Sequence, residues 1–233
     1  MHLRCILMDF KRNYQVKFLS KQINVGIRSF STLPPASKIN SWFLTGFCDA
    51  ECTFSTLIQF NAKFKTLWRV KLIFAIGLHK KDISILQKIQ ATLGVGKIHI
   101  HGKDSVKYRV ESIKDLQVII THFDKFPLVS AKLIDYQLFK ICFNLVLLQE
   151  HLTKEGILKL VEIKSAMNKG LPINLKEAFP NAIQMDRPEY TFKDIPNPYW
   201  VAGFTSGDGS FGVKTASSPT TKLGSRVQLR FKY

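Results

Sequence analysis

Apolar and polar residues alternate with a period of two along four short segments of the chain. The segments cover about residues 53–61, 68–78, 97–101 and 106–111, and the turn GKDS joins the last two. This alternation predicts half-buried β-strands, and the tight turn predicts an antiparallel hairpin. The inward side chains of the first strand are expected to be Phe54, Ile58 and Phe60.

Helical periodicity occupies the segments before, between and after these strands. Ser41 is the expected N-cap of the first helix, and Gly94 is the expected C-terminal cap of the second. The helices are expected at about residues 41–50, 81–94, 113–124, 130–150 and 153–168. This order of elements indicates an α+β fold, in which helices cover one face of an antiparallel sheet.

The outward positions of the four strands form a polar and largely basic surface. These positions are Thr53, Ser55, Gln59, Asn61, Lys63, Arg69, Lys71, Lys97, His99, His101, Lys107 and Arg109. The first acid in the pattern is Glu111, whereas an ordinary solvated sheet face mixes acids with lysines. Such side chains contact phosphates and base edges, so the surface is predicted to bind a DNA groove. His99 and His101 also form an H-x-H pair that could bind a metal, but two polar residues on an exposed strand face are the preferred interpretation.

The charge of the chain favours the same class of partner. Lys and Arg total 34 against 17 Asp and Glu, which gives a formal net charge of +17. An anionic partner offsets the self-repulsion of such a surplus. Nucleic acid fits this requirement, and a membrane surface is the alternative. No apolar run approaches the ~18 residues of a membrane span.

The four cysteines lack C-x-x-C spacing and therefore favour reduced thiols over a zinc site.

The first 38 residues differ in composition from the rest of the chain. They are rich in Lys, Arg and hydroxyl residues, and Asp9 is their single acid. This composition is typical of a mitochondrial transit segment, and it predicts a mitochondrial location. A basic arm or a translated upstream reading frame is an equally good interpretation.

One motif occurs twice. WFLTGFCDAECTF, which begins at Trp42, returns as WVAGFTSGDGSFGV from Trp200, and the second copy also leads into two strands. Its outward strand residues are Gln228, Arg230 and Lys232. A Pro-rich stretch separates the copies and is interpreted as a linker. The expected organisation is a leader over 1–38, a first domain over 41–170, a linker over 171–197 and a second domain over 198–233.

The two motifs resemble those of a known family. LTGFCDAEC (residues 44–52) and VAGFTSGDG (residues 201–209) are similar to the paired motifs of the LAGLIDADG homing endonucleases. The segments GLHKKDISILQKIQATLGVGKI and FDKFPLVSAKLIDYQLFK resemble the single-chain, two-motif members that fungal mitochondrial introns encode. The resemblance covers residues 41–233. It implies an αββαββα unit with a DNA-binding sheet, duplicated about a pseudo-twofold axis. It also implies site-specific hydrolysis of both strands of double-stranded DNA.

The resemblance further implies a catalytic seam between two motif helices. The small residues of the implied helix interface are Gly46, Ala50, Gly203 and Gly207. Glu51 and Asp208 end the two helices, and by the match they are the catalytic acids and the ligands of Mg²⁺ or another divalent cation. Arg109 falls where the family places a peripheral basic residue. Asp49 aligns with Ser206 and therefore lies outside the symmetric pair.

Two residues depart from the family pattern near this seam. Cys52 stands where the family usually has a glycine, which tolerates a left-handed backbone at a helix end and lets DNA approach closely. We expect the Cβ and sulfur of Cys52 to shift Glu51. Ala75 stands where the family often has a glutamine, so one water-ordering group is expected to be missing.

Only 30 residues follow Gly203 (233 − 203). The second unit is therefore expected to be incomplete, and a monomeric nuclease is expected to need a complementing C-terminal half. Three functions stay open at this point. They are a DNA endonuclease, an RNA-binding splicing cofactor of the host intron, and an inactive DNA-binding remnant.

Overall fold

The chain folds into a mixed unit of helices and strands followed by a second, smaller unit. The computed structural model describes residues 38–232 except 193, 221 and 223. The leader predicted over residues 1–38 thus lies outside the described residues, apart from Lys38. The elements of the first unit are α1 (Ser41–Glu51), β1 (Cys52–Phe60), β2 (Trp68–His79), α2 (Ile83–Leu93), β3 (Lys97–His101), β4 (Ser105–Val110), α3 (Ile113–Lys125), α4 (Lys132–Leu147) and α5 (Lys154–Ser165). This order confirms the predicted α+β fold class.

The four strands form one antiparallel sheet in the order β1-β2-β4-β3. Side chains that are directly opposite on neighbouring strands share a face of the sheet. One such row runs across all four strands through Thr53, Ala75, Arg109 and Lys97. The register therefore places the predicted outward residues of different strands on one common surface.

The other face of the sheet is covered by helices and forms the core. Phe54 and Phe74 lie in the sheet, with their ring centroids 5.3 Å apart. From the helical layer, Phe123, Tyr136 and Phe139 bring their centroids to 5.4–5.6 Å from Phe54. Each fully buried ring of this size contributes roughly 1.5–3 kcal/mol of hydrophobic stabilisation, and the cluster fixes the helices relative to the sheet.

The connection between β1 and β2 differs from the expectation. Phe60 was expected to face the core, but 65% of its surface is exposed. It is the last residue of β1 and packs edge-on against the ring of Trp68 instead. Asn61 and Lys63 follow the strand in a turn, in which the Asn61 side chain accepts a hydrogen bond from the Lys63 backbone. The two residues therefore lie beyond the end of the sheet rather than on its face.

The Pro-rich stretch after α5 packs against the first unit. It contains a short helix, α6 (Ile173–Ala178), whose Leu175 side chain is fully buried. Further on, Arg187 forms a bidentate ion pair with Asp135 on α4, at 2.8 and 2.9 Å. The stretch was predicted to be a linker, and these contacts attach it to the helical layer.

The second unit contains α7 (Pro198–Asp208), β5 (Ser210–Ser217) and β6 (Ser225–Lys232). The two strands pair antiparallel as a separate hairpin. One face of this hairpin is apolar and exposed, with Phe211, Val213, Val227, Leu229 and Phe231. In the first unit the corresponding rings of Phe54 and Phe74 are buried under helices.

None of the helices within residues 38–232, as far as they are described, combines the length and apolar character that a transmembrane segment requires.

Candidate catalytic seam and nucleic-acid interface

The two motif helices, α1 and α7, pack against each other through glycines. A Cβ atom added at Gly46 would lie 2.0 Å from the carbonyl oxygen of Trp200, and one added at Gly203 would lie 2.0 Å from that of Phe43. The backbones therefore touch directly, in the manner of small-residue helix pairs. The reciprocal contacts have the form expected of a pseudo-twofold arrangement.

The same contact continues to the C-terminal ends of both helices. A Cβ atom at Gly207 would lie 2.4 Å from the Ala50 Cβ and 3.1 Å from the Glu51 Cγ. Glu51 ends α1, and Asp208 follows Gly207 at the end of α7. The two acids therefore occupy the same end of the helix pair, where the negative ends of both helix dipoles also meet.

Both motif helices begin at an asparagine cap. The Asn40 side chain accepts hydrogen bonds from the backbone of Trp42 and Phe43, and Asn197 accepts one from that of Tyr199. The predicted cap at Ser41 was therefore wrong by one residue. Capping of this kind stabilises a helix by roughly 1 kcal/mol.

The residues after the two acids have extended backbones. Cys52 has φ −84° and ψ 162°, and its counterpart Gly209 has φ −68° and ψ 141°. A cysteine adopts this conformation without strain, so the backbone at this position does not require a glycine. Cys52 is buried in the core, and its backbone N–H donates to the Cys48 carbonyl oxygen.

Asp49 is buried and links three parts of the site. Its carboxylate accepts hydrogen bonds from the backbone of Val129 and Ser130, from the Ser130 hydroxyl and from the indole Nε1 of Trp200, at 2.6–3.2 Å. Four donors satisfy a buried carboxylate that would otherwise be costly to desolvate. Asp49 therefore connects α1 with the loop before α4 and, through Trp200, with the second motif helix.

His122 on α3 contacts α1 one turn before Asp49. Its Nε2 lies 3.2 Å from the hydroxyl oxygen of Thr45, and that hydroxyl donates to the carbonyl oxygen of Phe126. Because the hydroxyl has only one proton, the His122 Nε2–H is the donor to Thr45. Burial lowers the pKa of His122 to about 4, so the ring is neutral in the folded chain at neutral pH.

We expect this histidine to destabilise the fold in acid. The unfolded chain protonates it near pH 6.5 and the folded chain only near pH 4, so stability is lost as the pH falls between these values. The loss between pH 7 and pH 4.5 is expected to be about 2 kcal/mol, measured by urea denaturation. His122→Gln keeps a donor to Thr45 and does not titrate, so it should remove this part of the pH dependence. An identical pH profile for the variant would contradict the assignment.

The seam also fits a hard divalent cation. Carboxylates are preferred ligands of Mg²⁺, which usually keeps several waters and uses one or two protein carboxylates together with substrate phosphates. Glu51 and Asp208 supply two such groups beside two helix C-termini. Among the described residues, no cluster of three or more His, Cys, Asp or Glu side chains forms a complete metal site. A cation at the seam would therefore depend on oxygen atoms from the substrate and water.

The predicted nucleic-acid surface lies on the open face of the four-stranded sheet. Cross-strand pairs join Gln59 to Arg69, Lys107 to His99, and Arg109 to Lys97. The residues placed on this face are Ser55, Gln59, Arg69, Lys71, Lys97, His99, His101, Lys107 and Arg109. The face begins directly after Glu51, since β1 follows α1 without a break.

The hairpin of the second unit repeats this arrangement. Gln228 lies opposite Lys214, Arg230 opposite Gly212, and Lys232 opposite Ser210, so all three predicted residues share one face. Lys214 and Arg226 join the same face, although the strand pattern had not identified them. Both sheets thus follow a motif helix and carry a basic face.

Comparison with known proteins identifies the family. The model of the LAGLIDADG endonuclease family matches residues 44–143. A probable intron-encoded endonuclease 3 of Neurospora crassa is 37% identical over 100% of this chain and 46% of its own length. The crystal structure of the LAGLIDADG meganuclease I-CpaMI bound to uncleaved DNA is 59% identical, with a TM-score of 0.80 over 83% of this chain and 66% of that chain.

A second solved structure is similar to this chain over two thirds of that structure's length. I-SmaMI bound to an uncleaved DNA target in the presence of calcium ions is 41% identical, with a TM-score of 0.80 over 83% of this chain and 67% of that chain. The chain belongs to the LAGLIDADG endonuclease family. It spans about half the length of the Neurospora relative and about two thirds of the solved meganuclease chains.

A lysine that the LAGLIDADG motifs do not contain contacts the C-terminal turn of α1. Lys132, at the start of α4, donates from Nζ to the carbonyl oxygen of Cys48 at 3.1 Å. The Asp49 contacts to Val129 and Ser130 fix the loop that places this lysine at the C-terminal turn of α1. Nothing in the strand or helix pattern pointed to it, since an isolated lysine at a helix start is common.

Ala75 and Arg109 both lie on the open face of the four-stranded sheet. Ala75 lies between Thr53 and Arg109 in the cross-strand row, so its position is near the seam but offers no polar group. Arg109, the predicted peripheral basic residue, lies one strand further out and forms an ion pair with Glu111 at 2.6 Å. Lys132, in contrast, contacts the motif helix α1 directly.

Proposed function

We propose that this chain is a DNA endonuclease that binds double-stranded DNA on its two basic sheet faces and hydrolyses phosphodiester bonds at the helix seam. The observation that carries the proposal is the position of Glu51 and Asp208. These acids end two helices in direct backbone contact, and each is followed by a strand of a basic sheet. Positive faces on both sides of an acidic centre are suited to hold a polyanion over metal-dependent hydrolytic chemistry.

The sheet faces are proposed to supply affinity and sequence recognition. Lysines and arginines contact phosphates, whereas Gln59, His99 and Gln228 offer hydrogen bonds to base edges. A two-stranded or larger β-surface fits the major groove of B-DNA. Both solved relatives were determined bound to DNA, which supports duplex DNA rather than intron RNA as the partner.

At the seam, Glu51 and Asp208 are proposed to hold Mg²⁺ or another divalent cation. When bound, the cation lowers the pKa of water, polarises the phosphate and stabilises the leaving oxygen. The chain's own groups orient this chemistry, because the glycine contacts fix the spacing of the two acids and Asp49 fixes the loop before α4. Lys132 places a positive charge beside the end of α1, where negative charge accumulates on the phosphate.

A mitochondrial location is proposed because the first 38 residues have the composition of a transit segment. Import into isolated mitochondria with cleavage of the leader would test this directly.

The binding part of the proposal predicts a strong dependence on salt. If the two faces contact roughly 6–10 phosphates, the affinity for a duplex of about 30 base pairs should fall ~10³–10⁵-fold between 50 and 200 mM salt. Fluorescence anisotropy at several salt concentrations measures this slope. An affinity that does not change with salt would exclude the basic faces as the binding surface.

The catalytic part is tested with a randomised duplex library and Mg²⁺, with EDTA as the control. Because the relatives are longer, the chain is assayed both as it stands and with the C-terminal portion of a solved relative joined after Lys232. Cleavage of a defined subset of the library supports the proposal. Specific binding without Mg²⁺-dependent cleavage in either form would leave a DNA-binding protein and refute the endonuclease assignment.

A further inference from the structure

One carboxylate lies on the otherwise basic face of the first sheet. The strands β1 to β4 contain no Asp or Glu, and Glu111 follows β4 immediately. Its Oε1 is 2.6 Å from Nη2 of Arg109, and its Oε2 is 3.4 Å from Nζ of Lys71. A single acid therefore pairs with two of the cations that are proposed to bind DNA.

The surroundings of Glu111 leave it accessible to a ligand. The side chains of Lys71, Arg109 and Glu111 are each about one-third exposed, at 35%, 36% and 37%. Two open depressions, of about 520 and 640 Å³, share Lys71 and Glu111 in their walls. The first also contains Lys97 and His99, and the second contains Arg69. The carboxylate thus lines both depressions. The first also contains Asp115, and the second is otherwise mostly apolar, with Val146 and Leu147 from the end of α4.

A carboxylate at this position opposes the binding of phosphate. It occupies the donors of Arg109 and Lys71, and its own charge repels a phosphate group that approaches them. An ionised carboxylate has only acceptor atoms, so among the groups of a duplex it can bond favourably to base-edge amino groups. In the major groove, the N4 amino group of cytosine is the donor that acidic side chains commonly recognise.

We propose that Glu111 is a specificity-determining residue of the DNA-binding face. On random DNA it keeps Arg109 and Lys71 from the phosphates and so weakens non-specific binding. At the preferred site it accepts a hydrogen bond from a cytosine amino group, and the two cations become available to neighbouring phosphates or bases. The inference rests on the proposed DNA binding and adds a residue that favours one base over the others.

The test compares the unchanged chain with Glu111→Gln, which keeps the size of the side chain and removes its charge. The probes are a random-sequence duplex and the site that the unchanged chain enriches from a randomised duplex library. For random DNA, the variant should bind about tenfold more tightly, and the slope of log K against log salt should steepen by about 1–2 because two cations are released. The ratio of affinities for the selected site and random DNA should fall by about tenfold.

Glu150→Gln is the matched control. It also removes one negative charge and releases a lysine, Lys159, but this pair joins the turn after α4 to α5 in the helical layer. The control should leave both the salt slope and the affinity ratio unchanged, and all three proteins should melt at the same temperature.

The possible outcomes separate this inference from the proposed function. A variant that enriches the same site with the same cytosine preference and the same salt slope as the unchanged chain would overturn the role of Glu111. An equal change in Glu150→Gln would also overturn it, because the effect would then come from net charge alone. If the unchanged chain shows no salt-dependent binding to either duplex, the proposed DNA binding fails, and the inference fails with it.

Discussion

A Glu51→Gln variant is expected to bind duplex DNA with unchanged affinity and to lose Mg²⁺-dependent cleavage by a factor on the order of 10³. Glutamine keeps the shape of the side chain that lies against Gly207, so the helix contact should persist. It removes the negative charge that would hold a cation at the end of α1. The measurement is the single-turnover cleavage rate with saturating enzyme, which separates chemistry from binding.

Asp208→Asn should have a similar effect, and the double variant should be little worse than either single variant. Residues that act through one shared cation lose activity as a unit, so their effects do not add. Glu177→Gln serves as the control for net charge. Glu177 is an exposed acid on α6 and lies in neither motif helix. Cleavage by Glu51→Gln at the original rate would show that the seam acids are not the catalytic groups.

The strands and the helical layer were predictable because their signals are local. Period-two alternation located β1 to β4 to within one or two residues, and Gly94 ends α2 in the expected left-handed conformation at φ 73°. The signal failed at Phe60, because the strand ends there and an aromatic partner, Trp68, covers the ring from outside the core. Periodicity describes a continuing strand and contains no information about where its last residue turns.

The parts of the site that escaped prediction depend on contacts between distant residues. Asp49 accepts hydrogen bonds from Ser130 and Trp200, which are 81 and 151 positions away in the sequence. In the repeat alignment it faces Ser206, so symmetry alone assigned it no role. The motif also does not reveal the backbone conformation after each acid. A glycine at this place tolerates a left-handed conformation, whereas Cys52 and Gly209 are both extended.

Composition predicted a linker between the two motifs and contained no information about its contacts. In the structure, Leu175 of this stretch is buried in the core, and Tyr190 donates a hydrogen bond to the carbonyl oxygen of Val129. That carbonyl belongs to the same loop whose amide groups bond to Asp49. The connection between the units therefore supports the loop before α4, and with it the position of Lys132.

Gly203→Ala is expected to lower the cleavage rate by about 10²-fold or more and to destabilise the fold by roughly 1–3 kcal/mol. The added Cβ would lie 2.0 Å from the Phe43 carbonyl oxygen and 2.8 Å from the Phe47 backbone nitrogen. Both are backbone atoms and cannot rotate away, so α1 and α7 must move apart by about 1 Å. Displacements of this size at a catalytic centre cost about two orders of magnitude in rate.

Gly212→Ala is the matched control, because it adds the same methyl group nine residues further on (212 − 203) at a place where no heavy atom lies within 4 Å. Gly212→Ala should leave the melting temperature and the cleavage rate close to those of the unchanged chain.

Gly46→Ala should reproduce the Gly203→Ala defect, since its Cβ would lie 2.0 Å from the Trp200 carbonyl oxygen. DNA binding at low salt should survive in all three variants, because the basic faces are on the sheets and not at the helix contact. A Gly203→Ala protein that melts and cuts like Gly212→Ala would show that the two acids do not depend on the close contact of their helices.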